Sequence, residues 1–217
     1  MLGLSTLTIG MSQPAGPDVT EATVFGPFFV EGSAQIPLGG DVAQGAPGEP
    51  CWMEGTVRDG RGAPIPGARV EVWEADADGL YDVQRDGSQH AGRGHLFTDE
   101  AGGYRFWSVR PAAYPIPDDG PGGDLLATAG RGPMRPAHIH FMVSAEGFRT
   151  LVTHVFAAGD PHLADDAVFG VKPSLIVDFA AQDPGTGPDG SVIDRRWRRA
   201  VFDMVLADQR EPESPGA

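Results

Sequence analysis

Two histidines alternate with apolar residues in the segment RPAHIHF, residues 135–141. If this segment is a β-strand, residues two apart point to the same face, so His138 and His140 can reach one metal ion together. Ile139 and Phe141 then point to the opposite face, where their side chains fit a packed interior. The spacing therefore predicts half of a metal site on one face of a strand.

Two of the three tyrosines in the chain are candidates for the other ligands. Tyr81 lies in the turn-rich segment DGLYD, and Tyr114 lies in AYPIP, where two prolines stiffen the backbone. Tyr104 belongs to the strand-like segment GYRFWS, and we assign it to structure. Two phenolates and two imidazoles suit Fe(III), because a hard, highly charged cation prefers these donors to sulfur.

Two alternatives for the histidine pair remain open at this point. A zinc site can begin from the same two histidines, but it usually adds a third histidine or a carboxylate. The other alternative has no metal and places both histidines on the solvated face of the strand.

Other polar residues near these motifs are candidates for a supporting role. Arg135 lies three residues before His138, so its permanent charge can stand beside a metal and stabilise an anionic substrate or a carbanion-like intermediate. His154, in LVTHVF, is a candidate pocket residue. His90, His95 and His162 are interpreted as loop or turn residues, and the sequence assigns them no role.

The elements that must position these residues are short strands. The chain has 31 glycines and 20 prolines, which is typical of many strands joined by tight turns. We predict an all-β fold, a β-sandwich of mainly antiparallel strands with long active-site loops and a short N-terminal helical segment. The loop 110–133 is too long for a simple connection and is predicted to be functional. The predicted strands cover residues 51–58, 68–75, 96–98, 103–108, 137–144, 150–156, 174–180 and 196–207.

Length and charge restrict the class of protein. The 217 residues predict one domain over 21–208, with a helical remnant and linker at 1–20 and a disordered tail at 209–217. The net charge of −14 argues against a nucleic-acid or membrane partner. Cys51 is the single cysteine, which excludes a disulfide framework within the chain. Neither a signal peptide nor a membrane span is evident, so we expect a cytoplasmic protein.

Five segments resemble, in order, the intradiol ring-cleavage dioxygenases, a family of non-haem Fe(III) enzymes with a prealbumin-like sandwich. They are TEATVFGPFFVEG, EGTVRDGRGAPIPGARVEVWEADADGLYD, FWSVRPAAYPIPDDGPGGDLL, RPAHIHFMVSAEGF and LVTHVFAAGDPHLADDAVFGVKPSLIVDF. The segments VFGPFF, YPIP, LVTHVF and DAVFGVKPSLIVDF resemble the hydroxyquinol 1,2-dioxygenases of this family more than its catechol or protocatechuate enzymes. Catechol members have a glutamine where His154 falls, which also favours the hydroxyquinol type.

The resemblance implies a site and a reaction. One Fe(III) per subunit would be held by Tyr81, Tyr114, His138 and His140, with Tyr114 and His140 axial. Tyr114 and Arg135 would be catalytic, Tyr114 as a base that accepts a substrate proton. The enzyme would insert both atoms of O2 into an aromatic ortho-diol, converting hydroxyquinol to 3-hydroxy-cis,cis-muconate or a related catechol to a cis,cis-muconate. The implied pocket consists of Val24, Phe25, Gly26, Pro27, Phe28, Ile116, Pro117, Arg135, His154 and Val168.

The sequence also bears on assembly and on an alternative function. Dimeric members of the family carry an N-terminal helical domain of roughly a hundred residues, to which only MLGLSTLTIGMS could correspond here. A homodimer is therefore a candidate assembly that the sequence does not decide. The segments GTVRDGRGAPIPGARVEVW and DEAGGYRF also resemble non-catalytic prealbumin-like binding modules. Such a module would not need the two tyrosines and two histidines together.

Overall fold

Two five-stranded sheets form most of the described part of the protein, and loops, two small ladders and two helices lie outside them. The computed structural model describes residues 3–12, 18–85 and 90–209. In chain order the helices and strands are α1 (Leu4–Ser12), β1 (Pro50–Asp59), β2 (Arg69–Glu74), β3 (Arg93–Phe97), β4 (Gly103–Val109), β5 (Tyr114–Pro115), α2 (Pro121–Thr128), β6 (Met134–Arg135), β7 (His138–Ser144), β8 (Leu151–Ala157), β9 (Ile176–Val177), β10 (Ala180–Gln182), β11 (Gly185–Thr186), β12 (Val192–Ile193), β13 (Trp197–Val201) and β14 (Met204–Leu206).

The first sheet is built around the long strand β1. It pairs antiparallel with β4 and parallel with both β13 and β14, and β10 pairs antiparallel with β13. The second sheet has the order β3-β2-β7-β8-β9, with antiparallel pairs except for the parallel edge pair β8–β9. Two small ladders, β5–β6 and β11–β12, lie outside both sheets.

One hydrophobic core joins the facing sides of the two sheets. Met53 and Phe106 enter it from the first sheet, while Val72, Ile139 and Phe141 enter it from the second, and all five are fully buried. Aromatic contacts cross between the layers, since the ring centroids of Phe106 and Phe141 lie 6.3 Å apart. The predicted all-β sandwich is confirmed. Tyr104 belongs to this core as predicted, and its hydroxyl donates to Phe202 O at 2.6 Å.

Several predicted boundaries differ from the structure. The strand expected at 174–180 is divided: Pro173–Leu175 is a 3-10 turn, followed by the short strands β9 and β10, which pair with different sheets. The last strand, expected at 196–207, is interrupted at Phe202 and Asp203. There, the carboxylate of Asp203 accepts from the backbone and hydroxyl of Thr56 at 2.8 Å, which replaces the ladder at that point.

The loop 110–133 is ordered, and it contains β5 and the helix α2, which the sequence patterns did not predict. The predicted N-terminal helix is present as α1, and none of its residues is buried. Neither helix in the described ranges has the length and apolar character needed to cross a bilayer. Residues 210–217 of the predicted tail and residues 13–17 of the predicted linker lie outside the described residues.

Candidate metal centre

Strand β7 presents its two histidines on the face opposite to the core. His138 and His140 are each 1% exposed, and their Nε2 atoms lie 3.2 Å apart. The ladder places Trp73 of β2 and His154 of β8 on either side of His140, so the three residues form a row across the sheet. Trp73 stacks on the His140 ring at 4.7 Å between centroids, which fixes the plane of that imidazole. The strand geometry predicted for the histidine pair is therefore present.

Two loops bring Tyr81 and Tyr114 to the same point. Tyr81 follows β2, and its backbone N–H donates to the side chain of Gln84 at 3.0 Å. Tyr114 begins β5, whose pairing with β6 sets it directly opposite Arg135. The two phenol oxygens lie 3.1 Å apart, and the Tyr114 oxygen is 3.3 Å from His138 Nε2. Both tyrosines are buried.

The four side chains fit a metal ion. His138 Nδ1 donates to Pro136 O at 2.6 Å, so its Nε2 carries the free lone pair that a metal requires. Burial, with Arg135 nearby, lowers the pKa of His138 well below its ordinary value, and burial lowers that of His140 likewise, which keeps both imidazoles neutral. Two phenol oxygens and two imidazole nitrogens are a donor set for a hard trivalent cation.

The tyrosines add a second argument about the charge of that cation. Burial, reinforced by the neighbouring Tyr114, raises the pKa of Tyr81 well above its ordinary value. Without a cation the phenol stays protonated, and a highly charged ion would be needed to hold it as a phenolate. The chemistry of this donor set therefore favours a trivalent metal.

A third histidine stands beside the pair. His154 is fully buried, and its ring centroid is 4.1 Å from that of His140. The ligand atoms of His138, His140 and His154 all lie within 4.8 Å of one another, so they also form the three-histidine group that the zinc alternative needs. His154 differs from the pair because its Nδ1 is hydrogen-bonded to the hydroxyl of Thr23. Its Nε2 has no partner among the described residues.

Arg135 is buried against this cluster, as its position in the sequence predicted. Its Nη1 lies 3.1 Å from His138 Nε2, and its Nε donates to Asp166 Oδ1 at 3.2 Å. Only 3% of Arg135 is exposed. Within the described part of the chain, no acceptor lies within hydrogen-bond distance of its Nη2. A permanent positive charge with one free donor therefore lies next to the candidate ligands.

A cavity of about 310 Å³ adjoins the cluster. Gly26 lies on its wall and also packs on His140, since a Cβ at this position would come within 3.1 Å of His140 Cε1. The structure brings half of the predicted pocket residues onto this wall, namely Val24, Phe25, Gly26, Ile116 and Val168. Phe28 instead stacks on Tyr81 at 4.5 Å. Arg135 and His154 lie at the cluster itself, and Pro27 and Pro117 are not among the residues that line the cavity.

Sequence reasoning missed several residues at this site. Asp166 and Thr23 hold Arg135 and His154, and no local pattern marked either of them. Leu126 of α2 lines the cavity, and the apolar residues of the loop 110–133 were the available signal for it. Ile9 of α1 lines the same cavity.

The other histidines do not join the cluster. The interpretation of His95 as a loop residue was wrong, because it lies on β3, where its Nδ1 contacts the hydroxyl of Ser33 at 3.0 Å. The backbone N–H of His162 donates to Asp160 at 2.8 Å in a turn. His90 lies 3.8 Å from Asp82 and is mostly exposed.

Three comparisons relate this chain to known proteins. The profile of a family described as Dioxygenase matches residues 24–208. Hydroxyquinol 1,2-dioxygenase from Rhodococcus opacus is 59% identical over 213 residues, which are 97% of this chain and 71% of that protein. 6-chlorohydroxyquinol 1,2-dioxygenase from Cupriavidus pinatubonensis is 55% identical over 207 residues, 95% of this chain and 71% of that protein. The crystal structure of hydroxyquinol 1,2-dioxygenase from Pseudomonas putida superposes with a TM-score of 0.86 at 39% identity, covering 96% of this chain and 73% of that one.

Proposed function

The chain belongs to the intradiol dioxygenase family, and we propose on this basis that it cleaves hydroxyquinol with Fe(III) held by Tyr81, Tyr114, His138 and His140. Intradiol dioxygenases open aromatic ortho-diols between the two hydroxyl-bearing carbons and place both atoms of O2 in the product. With hydroxyquinol the product is 3-hydroxy-cis,cis-muconate, a tautomer of maleylacetate. The choice of substrate rests on the names of the relatives described above.

The observation that carries the proposal is the convergence of four ligand atoms from separate elements. The oxygens of Tyr81 and Tyr114 and the Nε2 atoms of His138 and His140 are linked by contacts of 3.1 to 3.3 Å. A zinc site built on the three histidines would give the two buried phenols no role as ligands. A non-catalytic binding module would leave the whole cluster unexplained.

Bound Fe(III) would supply a Lewis acid that holds phenols and a diol in their deprotonated forms. The protein residues then have distinct tasks. His138 and His140 are fixed by Pro136 O and Trp73, so they hold their lone pairs in place without reorganisation. As a phenolate, Tyr114 would accept a proton from a substrate hydroxyl and become a neutral phenol. Its oxygen lies 3.3 Å from His138 Nε2, the atom that Arg135 Nη1 also approaches, at 3.1 Å.

Arg135 stabilises negative charge on the ring of the substrate. Its guanidinium is buried, and charge interactions are stronger in such a site than in water. Apolar residues of the cavity, such as Val24 and Ile116, exclude water from the ring. His154 Nε2 can form a hydrogen bond to a polar substituent, which suits a diol with a third hydroxyl group.

The direct test is oxygen uptake by the iron-loaded protein with hydroxyquinol, catechol, chlorocatechols and protocatechuate. We expect hydroxyquinol to give the highest kcat/KM, with one O2 consumed for each muconate formed. Faster turnover of catechol or protocatechuate would contradict the proposed substrate. No uptake with any diol would contradict the proposed reaction.

The tyrosines provide a matched pair of variants for the metal. Tyr81→Phe removes a proposed ligand, so we expect loss of iron and of the visible phenolate-to-iron absorption band. Tyr104→Phe removes an equally buried phenol that donates only to Phe202 O, so we expect iron and colour to be retained. The measurement is iron content per chain and the visible spectrum after equal loading. Retention of colour by Tyr81→Phe would contradict the ligand assignment.

A further inference from the structure

Asp166 is a buried acid that contacts the proposed catalytic arginine. Its Oδ1 accepts from Arg135 Nε at 3.2 Å, and the two side chains are 2% and 3% exposed. It lies 31 positions from Arg135 in the sequence, on the loop that follows β8. Burial of two opposite charges side by side is costly unless both are well held, so the surroundings of Asp166 decide what the pair can do.

The loop holds the Asp166 carboxylate through several independent contacts. Oδ2 accepts from Gly170 N at 2.7 Å, and Oδ1 accepts from Val168 N at 3.3 Å. The carbonyl oxygen of Asp166 accepts from Arg131 Nη2 at 2.9 Å, and the Arg131 guanidinium lies 4.0 Å over the ring of Phe169. Phe169 has φ +58°, a strained conformation that these contacts must maintain. The carboxylate therefore sits in a rigid turn.

This turn also carries part of the cavity wall. Val168 and Ala167 line the cavity, and the backbone N–H of Ala167 donates to Met134 O at 3.0 Å, next to Arg135. Gly170 leaves the necessary space, because a Cβ at that position would lie 3.1 Å from Asp166 Oδ2 and 3.4 Å from Arg135 Nη2. The position of the arginine and the position of the wall are thus set by the same few residues.

The hydrogen bond from Arg135 Nε to Asp166 determines the direction of the whole Arg135 guanidinium. The group is planar, so a hydrogen bond at Nε fixes where both terminal nitrogens point. With Nε held by Asp166, Nη1 lies against His138 Nε2, and Nη2 meets no acceptor in the part of the chain that the structure describes. Because a metal would take the lone pair of His138 Nε2, Nη1 also becomes free to meet a substrate beside the candidate ligands.

We propose that Asp166 is a positioning residue, which orients Arg135 so that its terminal nitrogens face the negative charge that develops on the diol substrate. This inference rests on the proposed function, because it needs the proposed role of Arg135. Asp166 itself touches neither the substrate nor the candidate ligands. Its effect on the reaction passes through the arginine alone.

The test compares Asp166→Asn with Asp178→Asn in the iron-loaded protein. The amide of Asp166→Asn would keep the shape and one acceptor but lose the charge that aligns Arg135, so we expect kcat for hydroxyquinol to fall about tenfold with little change in KM. Iron content and the visible band of the substrate-free protein should equal those of the parent. Asp178 is an exposed acid that makes no side-chain hydrogen bond or ion pair within the described residues, and its variant should keep the parent kcat.

A double-mutant cycle separates positioning from a general structural effect. In an Arg135→Gln background there is no guanidinium to orient, so adding Asp166→Asn should change kcat less than about twofold. This double variant also contains no unpaired buried charge, so it remains a folded reference if Asp166→Asn alone is unstable. An equal fall in kcat in both backgrounds would overturn the proposal.

The remaining outcomes distinguish this inference from the proposed function. A parent protein that turns over hydroxyquinol while Asp166→Asn matches its kcat would overturn the role of Asp166 alone. Loss of iron and of the visible band in proportion to kcat would show a structural role and would overturn it too. A parent that takes up no oxygen with any diol would overturn the proposed function, and this inference with it.

Discussion

Two buried arginine–aspartate pairs flank the candidate metal centre, and they differ in how completely the arginine is bonded. Arg93 donates to both carboxylate oxygens of Asp82 through Nε and Nη2, and Nη2 also reaches Phe28 O at 3.3 Å. Arg135 makes one hydrogen bond to Asp166, through Nε. Side-chain exposure is 4% or less in both pairs. The difference between the pairs therefore lies in their bonding and not in their burial.

The difference in bonding separates a structural role from a chemical one. Asp82 follows Tyr81 directly in the sequence, and its partner Arg93 also donates to Phe28 O. The Phe28 ring stacks on Tyr81, so the pair links the Tyr81 loop to the segment that contains Phe28. The Nε and Nη2 donors of Arg93 are used within the protein, so the pair supports the position of a ligand. Arg135 keeps Nη2 without a hydrogen bond among the described residues, and its Nη1 lies 3.1 Å from His138 Nε2, beside the candidate ligands.

The largest effect on stability should come from breaking the Arg93–Asp82 pair. Asp82→Ala leaves Arg93 charged and buried without its partner, so we expect the free energy of unfolding to fall by about 3–5 kcal/mol. Asp78→Ala is the control from the same loop, because that side chain is 65% exposed and pairs only with Arg85 at the surface. We expect less than about 1 kcal/mol for it. Equal losses in a urea titration of both variants would contradict the structural role of Asp82.

The next largest effect should appear in catalysis, from the incompletely bonded pair. Arg135→Gln removes the charge that we place beside the substrate, so kcat should fall about 10²- to 10³-fold. The visible band of the iron-loaded protein should remain, because Arg135 is not a ligand. Arg110→Gln changes an arginine that is 46% exposed and should leave kcat unchanged. Turnover of Arg135→Gln at the parent rate would remove the contrast between the two arginines.

A pH-dependent effect, smaller per pH unit than either of these, is expected from Glu74, a buried acid with no arginine beside it in the described part of the chain. It lies on β2, where Ser108 Oγ donates to its Oε1 and its Oε2 has no partner within the described ranges. Burial raises the pKa of Glu74 to about 8 from 4.5, although hydrogen bonds from Ser108 and Val109 oppose the shift; the Asp41 charge adds to it. The aspartate of each pair is neutralised by a guanidinium, whereas the Glu74 carboxyl is neutralised by its own proton.

The sign of the effect follows from that raised pKa. The folded chain keeps a proton that the unfolded chain releases, so the stability from Glu74 is complete below about pH 4.5 and is lost as the pH rises towards 8. The free energy of unfolding should decrease by at most about 1.4 kcal/mol per pH unit from this group. Glu74→Gln should flatten the dependence measured by urea titration between pH 5 and 8. An unchanged slope would show that Glu74 is ionised in the folded protein.

The pairs also show which parts of the site a sequence can predict. The histidines of β7 follow a two-residue period, and two of the three tyrosines lie in loops, so residue type and position were informative by themselves. The convergence of Tyr81 and Tyr114 on that strand came from the family resemblance, because no local pattern encodes a contact between separate loops. Asp166 was missed for the same reason, since its partner Arg135 is distant in the sequence.

Element boundaries were predicted well for the long strands and poorly for the short ones. Strands β1, β4, β7 and β8 alternate or are continuously apolar, and their predicted ends agree with the structure to within one residue. The final strands have few ladder partners, so the contact of Asp203 with Thr56 could interrupt them without a signal in the hydrophobic pattern. The helix α2 begins with Pro121-Gly122-Gly123, which sequence patterns assign to turns.

The central claim is that two phenolates and two imidazoles hold Fe(III) where a diol can bind. The visible absorption spectrum of the iron-loaded protein, recorded before and after anaerobic addition of hydroxyquinol, tests it most directly. We predict a burgundy protein with a phenolate-to-iron charge-transfer band that shifts when the diol is added. A colourless protein that carries one iron per chain would contradict the account.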